Sequence, residues 1–212
     1  MLLITDEVVT GFGRTGEWFA MDHYDIVPDI MTLAKGIASS YIPFGAVAVS
    51  AEINAPFESG ETHFIHGFTN GGHPLGCAAG SELIDIIRDE NLLENCRKQS
   101  EVLFSYREQL LAHPTVRDVR GWGLMMVLEL IKDKESLDFF ESSLQAEKLY
   151  SAITLKHGLV MYGSLYGPRR QAAFKRGLPS WISPPLTISG EEMHDLMGRL
   201  DNALSEWESI VL

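Results

Sequence analysis

Three stretches of this 212-residue chain predict an α/β fold that gathers ligand chemistry at the carboxyl ends of its strands. Leu2-Leu3-Ile4-Thr5-Asp6-Glu7-Val8 is a short apolar run ending in two acids. It reads as a buried parallel strand that delivers a carboxylate at its carboxyl end, where open α/β sheets place their ligands. Ile30-Met31-Thr32-Leu33-Ala34-Lys35-Gly36 presents an amine in the same way, beside a glycine that lets the backbone turn. Between the two lies a turn with three glycines, Gly11-Phe12-Gly13-Arg14-Thr15-Gly16. Neighbouring strand ends thus offer one acid and one amine to one crevice.

The other elements follow in order. Residues 17–24 form a short irregular or helical segment, and Val27-Pro28-Asp29 breaks into a strand over 30–34. After a loop over 36–43, Gly45-Ala46-Val47-Ala48-Val49 is a further strand. Residues 60–73 are polar and glycine-rich, and Pro74 stands at the first position of a helix. Helical spacing then runs over 75–113, with Leu83, Ile84 and Ile87 on one face. Asp89-Glu90-Asn91 breaks it into two helices and His113-Pro114 stops it.

Beyond this point the character changes. Strands over 116–120 and 124–130 join across Gly121-Trp122-Gly123, and a helix over 136–156 is closed by Gly158 in a left-handed cap. A strand over 159–162, a basic loop over 163–179 and an extended segment over 182–188 around Pro184-Pro185 come next. The last helix opens with a capping box, Ser189 and Glu192. Met193, Leu196, Met197, Leu200, Leu204 and Trp207 form its buried stripe. A boundary near residue 100 separates the end of a cofactor domain, 1–100, from a small α+β domain, 101–212. No internal repeat or low-complexity tract is present.

Bulk composition narrows the function. A hydrophobic share of 45% with 22% charged residues is ordinary for a globular protein. A formal charge of −12 speaks against a nucleic-acid partner, which would demand clustered Lys and Arg, and fits a soluble protein. Cys77 and Cys96 show no CxxC spacing, so neither a disulfide framework nor a zinc site is expected, and a reducing cytoplasm suits the chain. No apolar run reaches the roughly 20 residues of a membrane helix, and the first residues do not read as a signal peptide.

A lysine amine can form a Schiff base with a carbonyl, as pyridoxal phosphate enzymes do. The same cofactor needs an acid beside its ring nitrogen, because the protonated ring is the electron sink. Lys35 suits the first role and Asp6 the second. Together, Leu3-Ile4-Thr5-Asp6-Glu7-Val8, Thr10-Gly11-Phe12-Gly13-Arg14-Thr15-Gly16 and Pro28-Asp29-Ile30-Met31-Thr32-Leu33-Ala34-Lys35-Gly36 closely resemble the class III aminotransferases, the omega-transaminases of pyridoxal phosphate fold type I. The resemblance covers nearly the whole chain but only the carboxyl-terminal half of the family's fold. It implies a truncated product or one piece of a split enzyme, with the end of the large cofactor domain followed by the small α+β domain.

By that resemblance Lys35 is the Schiff-base lysine and the base that moves the substrate proton, and Asp6 holds the ring nitrogen. Val8, otherwise a core valine, packs on one ring face. His66-Gly67-Phe68-Thr69 resembles the family's histidine-glycine-x-threonine segment, so Thr69 reaches the cofactor phosphate of the other subunit. That implies a homodimer with shared sites. Asn70-Gly71 departs from the tyrosine-serine expected there. Arg169, Arg170 and Arg176 precede Trp181-Ile182-Ser183-Pro184-Pro185, where many members carry an arginine for a substrate carboxylate. Arg176 is the candidate, with a solvated basic loop as the equal alternative.

The implied reaction moves an amino group from an amine or omega-amino acid donor to an oxo-acid such as pyruvate. Aminomutases and racemases of the family share these residues. A catalytically inactive fragment or interaction partner is the rival from another class. Taken alone, Leu2–Glu7 is equally the Walker B pattern of nucleotide hydrolases, whose Asp serves Mg²⁺. The glycine turn and Lys35 decide against it, since an ATPase explains neither. Asp6 as a simple cap, Lys35 as a solvated lysine and Gly121-Trp122-Gly123 as a structural turn complete the plainer readings. His63, His66 and His73 match no metal-binding spacing.

Overall fold

The apolar run at the amino end does form a strand. The computed structural model describes residues 1–161 and 177–212. In it β1 (Ile4–Asp6) runs parallel to β2 (Ile30–Leu33), with Ile4 opposite Ile30 and Asp6 opposite Thr32. Asp29 sets the start of this pairing: its carboxylate accepts from the Leu3 amide at 2.7 Å, and its own amide donates to the Leu3 carbonyl at 3.0 Å. Antiparallel β3 (Ala46–Val49) completes a three-stranded sheet in the order β1-β2-β3. The chain divides into two compact units, Met1–Cys96 and Arg97–Leu212.

The first unit departs from expectation in its burial. Thr5 of β1 and Glu7 just beyond it are buried, whereas Ile4 is 62% exposed and Val47 of β3 is 64% exposed. A sheet face is buried only when a second layer covers it, and among the described residues no layer covers this one. A helix not foreseen, α1 (Ala51–Glu58), follows β3, with Ser50 as its cap. Pro74 opens α2 (Pro74–Asp89), as its fixed φ and missing amide allow. Asn91, at φ +57°, makes the break before α3 (Leu92–Ser105). A short α4 (Arg107–Ala112) ends at His113, which is extended because a proline follows.

In the second unit β4 (Val116–Trp122), β5 (Met125–Leu130) and β6 (Leu178–Ile182) form an antiparallel sheet in chain order. Its second layer is helical. The α6 helix (Gly190–Val211) carries the expected capping box and buries Met193, Met197, Leu200, Leu204 and Trp207, while Leu196 stays half-buried. α5 (Ser143–Lys156) begins seven residues later than the spacing suggested. The Asp133 carboxylate accepts from the Glu135 and Ser136 amides and holds a turn where the helix was expected. Gly158 is left-handed at φ +79°, as a helix end asks.

Three further expectations are corrected. Residues 159–161 form no strand, β6 already starts at Leu178 inside the expected loop, and a turn at 186–187 interrupts the expected extended segment. Among the described residues, no helix is long and apolar enough to cross a membrane.

Candidate active site

The parallel register brings the two candidate groups to the same end of adjacent strands. Asp6 closes β1 opposite Thr32, and Lys35 stands three residues beyond Thr32, at the start of a 3-10 turn, Lys35–Ile37. Asp6 Oδ1 accepts two hydrogen bonds, from the Val8 amide at 3.0 Å and from Thr32 Oγ1 at 3.1 Å. Oδ2 takes part in neither. Lys35 has φ +44°, a left-handed value that non-glycine residues rarely hold and that concentrates at functional sites. Both side chains are exposed. The reason is the open sheet face described above.

The glycine turn is held against this strand end from two sides. Glu7 is buried beneath it: its carboxylate accepts from Thr10 Oγ1 and, at 3.1 Å, from the Met21 amide. Its carbonyl accepts the Gly11 amide at 3.0 Å. On the other side, a side chain at Gly36 would come within 2.9 Å of Phe12 Cβ and 3.3 Å of the Gly11 carbonyl, so only glycine lets the turn sit against the Lys35 turn. α2 approaches the same place, with Gly80 close to the Ile37 carbonyl and Gly76 under the Phe44 ring. Cys96 is buried and donates its thiol hydrogen to the Arg14 carbonyl at 3.5 Å. Arg14 itself is pushed below its ordinary pKa chiefly by burial.

Val8 is half-buried, and its backbone holds Asp6. Thr69 lies in a stretch, 58–75, that is exposed throughout. Edge contacts shape that stretch, Phe57 to Phe64 at 5.9 Å and Phe64 to His66 at 5.7 Å. Arg169, Arg170 and Arg176 lie outside the described residues. Two residues of the site escaped the sequence reading. Glu7 was paired with Asp6 as an acid, but its strand face makes it the buried one. Thr32 shows its part only through the parallel register. Among the described residues no cluster of His, Cys, Asp and Glu could hold a metal ion.

The donor set suits pyridoxal phosphate: a nucleophilic amine, and a carboxylate with one oxygen outside both its protein bonds, at adjacent parallel strand ends. The fold is that of the transaminases of pyridoxal phosphate fold type I. The class-III aminotransferase family model matches residues 1–204, and the chain belongs to that family. A putrescine–pyruvate aminotransferase of Pseudomonas aeruginosa is 36% identical, aligned over 100% of this chain and 44% of that protein. A diaminobutyrate–2-oxoglutarate transaminase of Halomonas elongata is also 36% identical, over 97% and 43%. The crystal structure of an (S)-enantioselective omega-transaminase from Thermomicrobium roseum superposes with a TM-score of 0.87 at 39% identity, over 98% of this chain and 44% of that one. The chain therefore spans less than half the length of these relatives.

Proposed function

We propose that the chain carries the cofactor-anchoring strand ends, within 1–100, and the small domain, 101–212, of a pyridoxal phosphate-dependent aminotransferase. One observation carries this reading: Asp6 and Lys35 end adjacent parallel strands, and Asp6 is oriented through a single oxygen. When bound, the cofactor supplies an electron-withdrawing ring that stabilises charge on the substrate carbon. Lys35 Nζ would hold it covalently and would serve as the base that moves the substrate proton. Asp6 keeps the ring nitrogen protonated by placing a negative charge against it. Val8 would pack on the ring, Thr69 would serve the phosphate of the partner subunit in a homodimer, and Arg176 would meet a substrate carboxylate.

The donor class follows from the relatives. Putrescine and diaminobutyrate both carry a terminal amine, so a terminal amine or omega-amino acid donor and an oxo-acid acceptor are proposed. Racemase or aminomutase chemistry would use the same Asp6 and Lys35. Neither Cys77 nor Cys96 is in a disulfide, which supports a reducing, cytoplasmic setting.

The exposure of Asp6 and Lys35 favours one further reading: these 212 residues alone bind cofactor weakly and turn over little. The test is to add pyridoxal phosphate, reduce with borohydride and map the labelled peptide. Label concentrated on Lys35 is expected; label scattered over surface lysines defeats the assignment. Full turnover by the isolated chain would overturn the second reading alone.

A further inference from the structure

We propose that Thr32 is the positioning residue that aims Asp6, a role that rests on the pyridoxal phosphate reading. Three observations carry it. Thr32 and Asp6 are register partners on adjacent parallel strands, so their side chains project from the same face of the sheet. The register is locked beside them, because the Glu7 amide donates to the Thr32 carbonyl at 3.0 Å. The Thr32 hydroxyl then donates to Asp6 Oδ1 at 3.1 Å, the oxygen that also accepts the Val8 amide at 3.0 Å.

The consequence is a division of labour within one carboxylate. Oδ1 is held from two directions, by the backbone of its own turn and by the neighbouring strand. Two donors converging on one oxygen fix the plane of the group, which a single hydrogen bond leaves free to rotate. Oδ2 is thereby left outside both protein contacts. A β-branched residue is suited to the task, because threonine's χ1 is stiff in a strand and its hydroxyl has little freedom to swing away. The Val8 amide can be removed only by proline, which would also constrain the turn, so Thr32 is the half of the clamp that substitution opens cleanly.

The test uses Thr32→Val, which keeps shape and strand preference while deleting the donor, and Thr32→Ser, which restores the donor. Two readouts apply. Crystal structures of the cofactor-free chains report the Asp6 rotamer. The ¹⁵N resonance of ring-labelled pyridoxal phosphate reports whether its nitrogen is protonated. Expected for Thr32→Val are a displaced Asp6 carboxylate, a resonance moved toward the neutral ring and about tenfold weaker cofactor binding, the size of one hydrogen bond to a charged group. Thr32→Ser should restore all three. An Asp6 rotamer and a ring resonance both unchanged in Thr32→Val would overturn the proposal. If Asp6 moves in Thr32→Val but the unaltered chain never attaches cofactor at Lys35, the positioning role stands and the cofactor reading falls.

Discussion

His113 Nδ1 lies 2.8 Å from Glu208 Oε2, tying the end of α4 to the last turns of α6 across 95 residues of sequence. The ring's other nitrogen lies 3.1 Å from Asp201 Oδ1, which also accepts from Gln109 Nε2. Glu208 Oε1 takes the Thr115 amide at 3.1 Å and its hydroxyl at 2.6 Å. With a carboxylate at each nitrogen, the imidazole satisfies both contacts only when both nitrogens carry protons. The hydrogen bond to Glu208 is the main reason His113 is held above its ordinary value, against the opposing effect of burial. For Glu208, burial alone pushes upward, but the bonds from His113 and Thr115 outweigh it and leave the acid below its ordinary value.

Stability should therefore follow pH in a stated direction. His113 is raised, so its contribution is complete below the unfolded value of 6.5 and fades as pH rises through the folded value. Glu208 is lowered, so its contribution is complete above the unfolded value of 4.5 and fades as pH falls through the folded value. The pair is one interaction, fully present between these limits. Urea unfolding of the natural chain should weaken from pH 6 toward pH 9, by about 1–3 kcal/mol in total. His113→Gln should lose that dependence, and parallel curves for the two proteins would sink this account.

A methyl group at position 36 should disturb the candidate site without touching its chemistry. It would meet Phe12 Cβ at 2.9 Å, an atom fixed to the backbone of a left-handed residue at φ +59°, so no side-chain rotation relieves the clash. Gly36→Ala is expected to destabilise by about 1–3 kcal/mol, the usual range for overpacking. The glycine turn should also shift, reducing borohydride-trapped label at Lys35. Unchanged unfolding and unchanged labelling would show that the turn does not depend on that contact.

What the sequence reveals here is what local chemistry decides. The Asp6 and Lys35 strand ends, Pro74 at a helix start, Asn91 at a break and the Ser189–Glu192 box each rest on a few adjacent residues, and all stand where expected. The start of α5 was misread because two signals compete: helical spacing favours residues from 136 onward, but Asp133 captures the amides that would begin the helix. α1 is short, mostly exposed and carries Pro56 inside it, so it has no apolar stripe to find. Burial of β1 was misjudged for another reason. Burial belongs to whatever layer covers a strand, and an apolar run says only that it tolerates covering. Thr32 was legible as a strand residue but not as the partner of Asp6, since register is a relation between strands.

Asp6 and Lys35 should fail in different ways when substituted. Lys35→Arg keeps a positive charge but has no amine that can attach a carbonyl at neutral pH, so borohydride-stable label should vanish from that peptide. Asp6→Asn keeps the two hydrogen bonds on its oxygen, because an amide oxygen also accepts from Val8 and Thr32. It loses the charge proposed to hold the ring nitrogen protonated. Label at Lys35 should therefore persist in Asp6→Asn while amine transfer, measured in the smallest catalytically competent form, falls at least about a hundredfold. Equal loss of label in both variants would mean that Asp6 serves attachment rather than protonation.

Trp207 offers the most direct test of the second unit's core. It is fully buried, its ring meets Phe140 at 5.2 Å and Tyr150 at 5.3 Å, and its Nε1 donates to the Ala146 carbonyl at 3.3 Å. Tyr150 is itself buried, its hydroxyl 2.9 Å from Ser180 Oγ on β6, and burial pushes its pKa up to about 12. One indole therefore joins α5 and α6 through a ring that also packs on a sheet-linked tyrosine. Trp207→Ala should destabilise by about 3–5 kcal/mol, as large aromatic deletions do, a large share of the stability of an ordinary domain. Trp207→Phe is the better instrument: it keeps most of the ring contact, loses the hydrogen bond and leaves a small void, for an expected loss of about 1–2 kcal/mol. Urea unfolding followed by far-UV circular dichroism measures both. A Trp207→Phe chain as stable as the original would mean that this indole is not wedged between the two helices.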